Sequence, residues 1–387
     1  MIIEPKIRGF ICTTAHPVGC ATNVQRQIDH VVVKGEIPSA RRRVLVLGCS
    51  TGYGLASRIV TTFGSGADTI GVSFEKPPAE NKTASAGWYN NRAFEQRAKA
   101  AGRLALTIEG DAFSDAIKAE TIEAIRSNLG QVDLIVYSLA SPVRTDPATG
   151  ETYRSAIKPF GAAVAAKTLN TATGEVSEVV IEPATDEEAA ATVKVMGGED
   201  WQLWISALAD AGVLADGFTT LNYTYLGSEL TWPIYHKGTL GVAKADLDRA
   251  AGEIRGRFGD TSAYVVALKA VVTQASSAIP VVPLYGTLLL KVMAEMGLNE
   301  GTIEQIDRLF RTKLADPVID EAHRLRVDDW ELSPTVQAEM VRRWPLLSTE
   351  TLPELADLKM YRAEFLKLFG FGLGGVDYTA DVDPREV

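Results

Sequence analysis

Short, largely apolar runs punctuate the chain at residues 44–47, 69–74, 104–108, 132–137 and 264–268. Runs of this length predict strands covered on both faces, as in a parallel sheet. Residues 218–226 alternate apolar and polar, also like a strand. Before and between these runs lie stretches compatible with helix at 21–34, 53–63 and 113–129. Another spans Leu247, Ile254 and Phe258. The alternation predicts an α/β fold, a Rossmann-type doubly wound parallel sheet of about seven strands. Residues 141–217 interrupt it. They hold turns at Asp146-Pro147 and Thr149-Gly150, an alternating run at 176–181, and a helix with Trp201, Trp204, Ile205 and Leu208 on one face. We read this stretch as an inserted lid or substrate-side subdomain at one edge. A lid that excludes water suits hydride chemistry, and a purely stabilising subdomain fits the pattern as well. Residues 298–387 read as a mainly helical extension packed on the core through Phe310, Trp330, Trp344 and Leu368, with no functional signal. The whole, 1–387, reads as a single enlarged domain.

The organising stretch is 41–60, RRRVLVLGCSTGYGLASRIV. Strand, glycine turn and helix follow one another, the entry half of a βαβ unit. Glycines let the backbone approach a phosphate, and a helix N-terminus favours negative charge. Gly48, Cys49, Ser50, Thr51, Gly52 and Tyr53 are therefore candidate cofactor contacts. The GxxxGxG spacing fits the dinucleotide loop of short-chain dehydrogenases and reductases. It also resembles the first motif of S-adenosylmethionine-dependent methyltransferases, which usually carry an acid where Val46 stands. The second run continues into Phe74 and ends at Glu75. An acid there accepts hydrogen bonds from both adenosine ribose hydroxyls and repels a 2′-phosphate, which favours NADH over NADPH. Lys76 pulls the other way. Asp111 and Ala112 follow the third run; Asp111 suits an adenine amino group or a cap for the helix at 113–129. Leu139 and Ala140 follow the fourth, among small residues that leave room for a cofactor.

Composition narrows the class. The chain has 387 residues, a net charge of −10 and 23% charged residues, which argues against nucleic acid as partner. Neither the first 20 residues nor 278–293, broken by Pro280, Pro283 and Lys291, suggest a signal or a membrane span. Three cysteines, Cys12, Cys20 and Cys49, form no disulfide framework and suit a reducing cytoplasm. Cys12, His16 and Cys20 are evenly spaced, but a closed zinc site needs a fourth ligand. We expect buried thiols and no metal. Pro38 and Ser39 close this first segment.

The deciding stretch is 218–259, FTTLNYTYLGSELTWPIYHKGTLGVAKADLDRAAGEIRGRFG. It resembles the enoyl reductases of the short-chain dehydrogenase superfamily, whose strand ends in Tyr-Leu-Gly before an active-site Tyr and Lys. The spacing Tyr235-x8-Lys244 matches the FabV-type class, which includes trans-2-enoyl-CoA reductases. The resemblance extends through RGFICTTAHPVGC (8–20), GVSFEKP (71–77), GWYNNRAFE (87–95), VTQASSAIPVVPLYG (272–286) and GVDY (375–378). It implies NADH-dependent reduction of trans-2-enoyl thioesters, carried on acyl carrier protein or coenzyme A, by a largely monomeric enzyme. It also implies catalytic Tyr235 and Lys244, a substrate-side Tyr225, and Thr273, Gln274 and Ala275 beside the nicotinamide half. Lys244 would hold the nicotinamide ribose and ease proton release from Tyr235. His236 and Lys237 read as loop surface, and 276–290 as a wall of an acyl pocket. Another carbonyl reductase of the same superfamily is the alternative. The spacing carries a geometric demand. On one continuous helix Tyr235 and Lys244 would point apart, so regular helix must begin after Tyr235.

Overall fold

The computed structural model describes residues 1–9, 11–38, 41–80, 82–259 and 262–386; Ser39 lies outside them. Strands β1 (Arg43–Leu47), β2 (Asp68–Ser73), β3 (Ala105–Glu109), β4 (Val132–Tyr137), β5 (Leu214–Thr224), β6 (Ala263–Ala267) and β7 (Arg324–Arg326) form one sheet. Their order is β3-β2-β1-β4-β5-β6-β7, and every pairing is parallel. The chain reverses direction across the sheet between β1 and β4, where a crevice opens outside the carboxyl ends of the strands.

Burial on both faces explains the apolar runs. Val44 and Val46 of β1 enter one core layer with Val24, Leu55, Phe94 and Ile306. Leu45 and Leu47 enter the opposite layer with Ile125, Trp204, Leu247 and Val265. The first layer is built by α1 (Pro17–Val33), α2 (Gly52–Ile59) and α3 (Ala86–Ala100). The second is built by α4 (Asp115–Asn128), with α5 (Asp186–Met196) preceding α6 (Glu199–Asp210) and α7 (Thr239–Phe258). Two antiparallel hairpins, 143–154 and 164–181, leave the sheet within 141–217. The end of that stretch does not: Trp201, Trp204, Ile205 and Leu208 of α6 lie in the second layer beneath the sheet.

After β6 come α8 (Gln274–Ser277), α9 (Val282–Glu295) and α10 (Thr302–Arg308). The chain ends with α11 (Pro334–Arg343), α12 (Leu352–Leu355) and α13 (Leu358–Lys367). The stretch 298–387 is thus mainly helical, yet it supplies the sheet's last strand. Arg324-Leu325-Arg326 has one apolar position and no readable period. α9 packs with α11 and α12 through Leu284, Leu288, Val336, Met340 and Leu352. Val281, just before α9, holds the left-handed region at φ 72°.

Three local readings are corrected. α1 starts a turn before residue 21, because Pro17 takes its first position and His16 Nδ1 accepts a hydrogen bond from Gly19 N at 3.1 Å. The helix at 53–63 gives way to a π-helical turn over Val60–Gly64. The cap of α4 is Ser114, whose Oγ accepts from Ile117 N, while Asp111 Oδ1 accepts from Phe113 N in its own turn. Cys12, Cys20 and Cys49 are free and buried.

Candidate active site

A parallel sheet delivers all its carboxyl ends to one edge, so the residues singled out from sequence gather there. Gly48 follows β1, and Phe74 and Glu75 follow β2. Asp111 and Ala112 follow β3, Leu139 and Ala140 follow β4, and Tyr225 follows β5. Thr273, Gln274 and Ala275 lie one loop beyond β6, where Thr273 caps α8 through Ser276 N at 2.9 Å.

The turn after β1 is packed so closely that only glycine fits. A Cβ on Gly54 would stand 1.9 Å from Gly48 O. One on Gly48, at φ 82°, would stand 2.3 Å from Ser138 O. Gly52, at φ 55°, faces open space. Thr51 caps α2 without a side-chain bond, so the first-turn N–H groups point outward unclaimed by a cap. The motif at 87–95 supports this turn: Asn90 Nδ2 donates to Ser50 O at 3.0 Å, and Gly87 leaves room for the Glu75 carboxylate. Ser50 Oγ donates to Glu75 Oε1 at 2.6 Å, tying the turn to the end of β2. Cys49 is inert, its thiol pushed up to about 11 mainly by burial. Tyr53 reaches across and donates to Lys269 O at 2.6 Å. Phe74 is 80% exposed, a flat apolar surface at the crevice rim. The tight glycine turn, the uncapped helix start and the acid at the end of β2 fit a dinucleotide.

Between β5 and α7 the chain makes successive turns, and regular helix begins at Thr239, after Gly238. Tyr235 therefore sits in irregular backbone, as the spacing demands. Gly241 permits the bend, since a Cβ there would meet His236 O at 1.8 Å. The Tyr225 and Tyr235 rings meet edge to face, centroids 5.2 Å apart. The Tyr235 side chain is buried, and its hydroxyl has no hydrogen-bond partner among the described residues. Burial alone holds this phenol well above its ordinary range, so it carries its proton at neutral pH. Lys244, on α7, is pulled down to about 8 by burial, with the Asp248 charge opposing. Asp248 itself is held by Arg324 of β7, with Nε at 2.9 Å. His236 and Lys237 are exposed.

Two site residues escaped the sequence reading. Glu331, in the turn after β7, is fully buried. Its Oε1 accepts from Tyr225 at 3.1 Å and Tyr285 at 2.7 Å, and its Oε2 from Ala270 N at 2.6 Å. Lys269 is buried beside it, its Nζ donating to Ala270 O at 2.9 Å. No local signal marks Glu331 within the polar run Asp328-Asp329-Trp330-Glu331. A narrow apolar cleft lined by Val271, Val272, Val282, Leu289, Leu290 and Tyr361 opens next to this group. A second, of about 190 Å³, lies between the 164–181 hairpin and the turn into α9. No helix among the described residues is long and apolar enough to cross a membrane.

Three family profiles match in succession: the NAD(P)H binding domain of trans-2-enoyl-CoA reductase over 2–80, the trans-2-enoyl-CoA reductase catalytic region over 82–315, and an enoyl reductase FAD binding domain over 319–382. The chain is 56% identical to the enoyl-[acyl-carrier-protein] reductase [NADH] of Edwardsiella ictaluri, over 99% of this chain and 98% of that one. It is equally similar, over the same shares, to the enoyl-[acyl-carrier-protein] reductase [NADH] FabV of Aeromonas salmonicida. The fold is similar to the Treponema denticola trans-2-enoyl-CoA reductase solved with NAD, at TM-score 0.96 and 48% identity, covering 100% and 99% of the two chains. It is also similar to the Clostridium acetobutulicum trans-2-enoyl-CoA reductase solved with NADH, at TM-score 0.95 and 40% identity, covering 100% and 98%. These matches decide against the methyltransferase alternative. β7 runs into Val327-Asp328-Asp329-Trp330-Glu331-Leu332-Ser333, which has no glycine, and Val336, Met340, Leu352, Phe365 and Phe371 are spent on packing.

Proposed function

The chain belongs to the trans-2-enoyl-CoA reductase family, and from that membership we propose its reaction and the residues that perform it. It reduces the trans-2 double bond of an enoyl thioester with NADH, as a step of fatty acid synthesis. The turn at 48–53 would hold the pyrophosphate, Glu75 the adenosine ribose, and Phe74, Asp111 and Ala112 the adenine. Leu139, Ala140, Thr273, Gln274 and Ala275 would line the nicotinamide half, and Lys244 would hold its ribose hydroxyls. Bound nicotinamide supplies a hydride to the β-carbon of the substrate.

Negative charge then develops on the thioester oxygen. Tyr235 donates a hydrogen bond to that oxygen, a contribution of about 2.7–4 kcal/mol from one donor, and supplies the proton. The observation that supports this most is the pairing of two buried phenols at the strand edge, one of which keeps its proton uncommitted. The acyl chain would follow the apolar cleft along α9, and the thioester would arrive on acyl carrier protein or coenzyme A. We place the protein in the cytoplasm, as a monomer of 41.7 kDa, a compartment in keeping with its three free thiols. Mixing protein, NADH and crotonyl-CoA or crotonyl-acyl carrier protein and following absorbance at 340 nm tests the reaction. Decay is expected with both, its kcat/KM identifying the preferred carrier. No decay with any enoyl thioester rejects the proposal.

A further inference from the structure

The Glu331 carboxylate is an unusual thing for a core to hold. It is fully buried, and among the described residues no Lys, Arg or His nitrogen forms an ion pair with it. Its hydrogen-bond donors are all neutral, and the buried Lys269 ammonium beside it gives its own hydrogen bond to Ala270 O, so burial pushes this carboxyl up and holding it here is costly. Its donors come from the end of β5 (Tyr225), the end of β6 (Ala270) and α9 (Tyr285). Gln337 anchors its backbone, donating from Nε2 to Glu331 O at 2.8 Å. The group thus joins four elements at one point on the substrate side.

Its effect on Tyr225 is specific. A phenol has one proton, and that of Tyr225 is directed at Glu331 Oε1. Tyr225 therefore presents only lone pairs to the site, while Tyr235, edge-on against it, keeps a free proton. The two phenols meet the substrate with opposite hydrogen-bond polarity. We propose that Glu331 is a positioning residue for the reduction, acting through Tyr225: it claims the Tyr225 proton and fixes that ring, so that Tyr235 alone donates to the thioester oxygen. This rests on the reading of Tyr225 and Tyr235 as the substrate-facing pair.

Glu331→Gln preserves size and removes the charge. Its amide must then either turn N–H towards the phenols, releasing the Tyr225 proton into the site, or oppose the Ala270 N–H. The test is a double-mutant cycle of Glu331→Gln and Tyr225→Phe, read as kcat/KM for crotonyl-CoA, with NADH affinity from fluorescence titration as a control. Glu331→Gln is expected to lower kcat/KM about tenfold or more with NADH Kd within about twofold. The double variant should be no worse than the weaker single variant. A Glu331→Gln protein of wild-type kcat/KM overturns the proposal, as do two losses that simply multiply. Equal losses of kcat/KM and NADH affinity would also overturn it, as the mark of a merely structural role. Should Glu331→Gln fail to fold, Glu331→Asp, which keeps the charge one methylene short, enters the same cycle and is read against the same outcomes. Full activity in Tyr225→Phe alone would instead sink the reading of the tyrosine pair, which separates the two failures.

Discussion

At the scale of single residues, the site is a division of labour between groups that burial has tuned. Tyr235 is kept protonated, so removing its hydroxyl should remove turnover and leave the cofactor site intact. Tyr235→Phe is expected to lose about 10²–10³ in kcat with NADH Kd nearly unchanged, measured by 340 nm assay and fluorescence titration. Lys244 gives a pH signature. Its folded value of about 8 lies below its ordinary 10.5, so the free enzyme sheds this charge as pH rises through about 8. KM for NADH should rise across that range in the wild type and stay flat in Lys244→Met. The stability term runs the other way: between about 8 and 10.5 the unfolded chain binds the extra proton, so this residue's contribution to stability rises with pH. Much of this was legible, because Gly48, Gly54, Tyr235 and Lys244 sit in local patterns whose chemistry depends on spacing. Glu331 was not. Its meaning comes from partners 61 and 106 residues away, and one acid among three in a polar turn carries no local sign of burial.

Elements place these residues, and their junctions are the sensitive points. The contact of α2 with the end of β1 leaves no space at Gly54, where a methyl would lie 1.9 Å from a carbonyl oxygen. Gly54→Ala should therefore cost about 1–3 kcal/mol and weaken NADH binding, seen together in urea titration with and without cofactor. α4 and α6 are joined by Lys118 and Asp200, both buried, 2.8 Å apart, with Tyr137 on the second carboxylate oxygen at 3.0 Å. Lys118→Met strands that carboxylate and should cost about 3–5 kcal/mol in chemical denaturation. The strands of the sheet were readable because residues buried on both faces leave continuous apolar runs. The π-helical turn at Val60–Gly64 and the strand Arg324–Arg326 were not, since neither departs from its surroundings in period or composition.

Across the whole molecule, the N-terminal helix and the last segments share one core. Tyr378 stacks edge-on to His16 at 5.0 Å, Arg26 donates to Gly374 O at 2.9 Å, and Lys34 pairs with Asp307 at 2.8 Å. We therefore propose that 1–387 unfolds as one unit. Scanning calorimetry should show a single transition with equal calorimetric and van't Hoff enthalpies, and separate melting of 319–382 would contradict it. The strand order has a further consequence for synthesis. With the order β3-β2-β1-β4-β5-β6-β7 across the sheet, every strand after the first pairs with one synthesised before it, first on one flank and then on the other. The residues proposed to hold the nucleotide are thus all synthesised before the final strand, and Glu331 emerges only after it. In a nascent chain halted before that strand, the proposed coenzyme contacts and Tyr235 are already synthesised, while Glu331, which would fix Tyr225, is not.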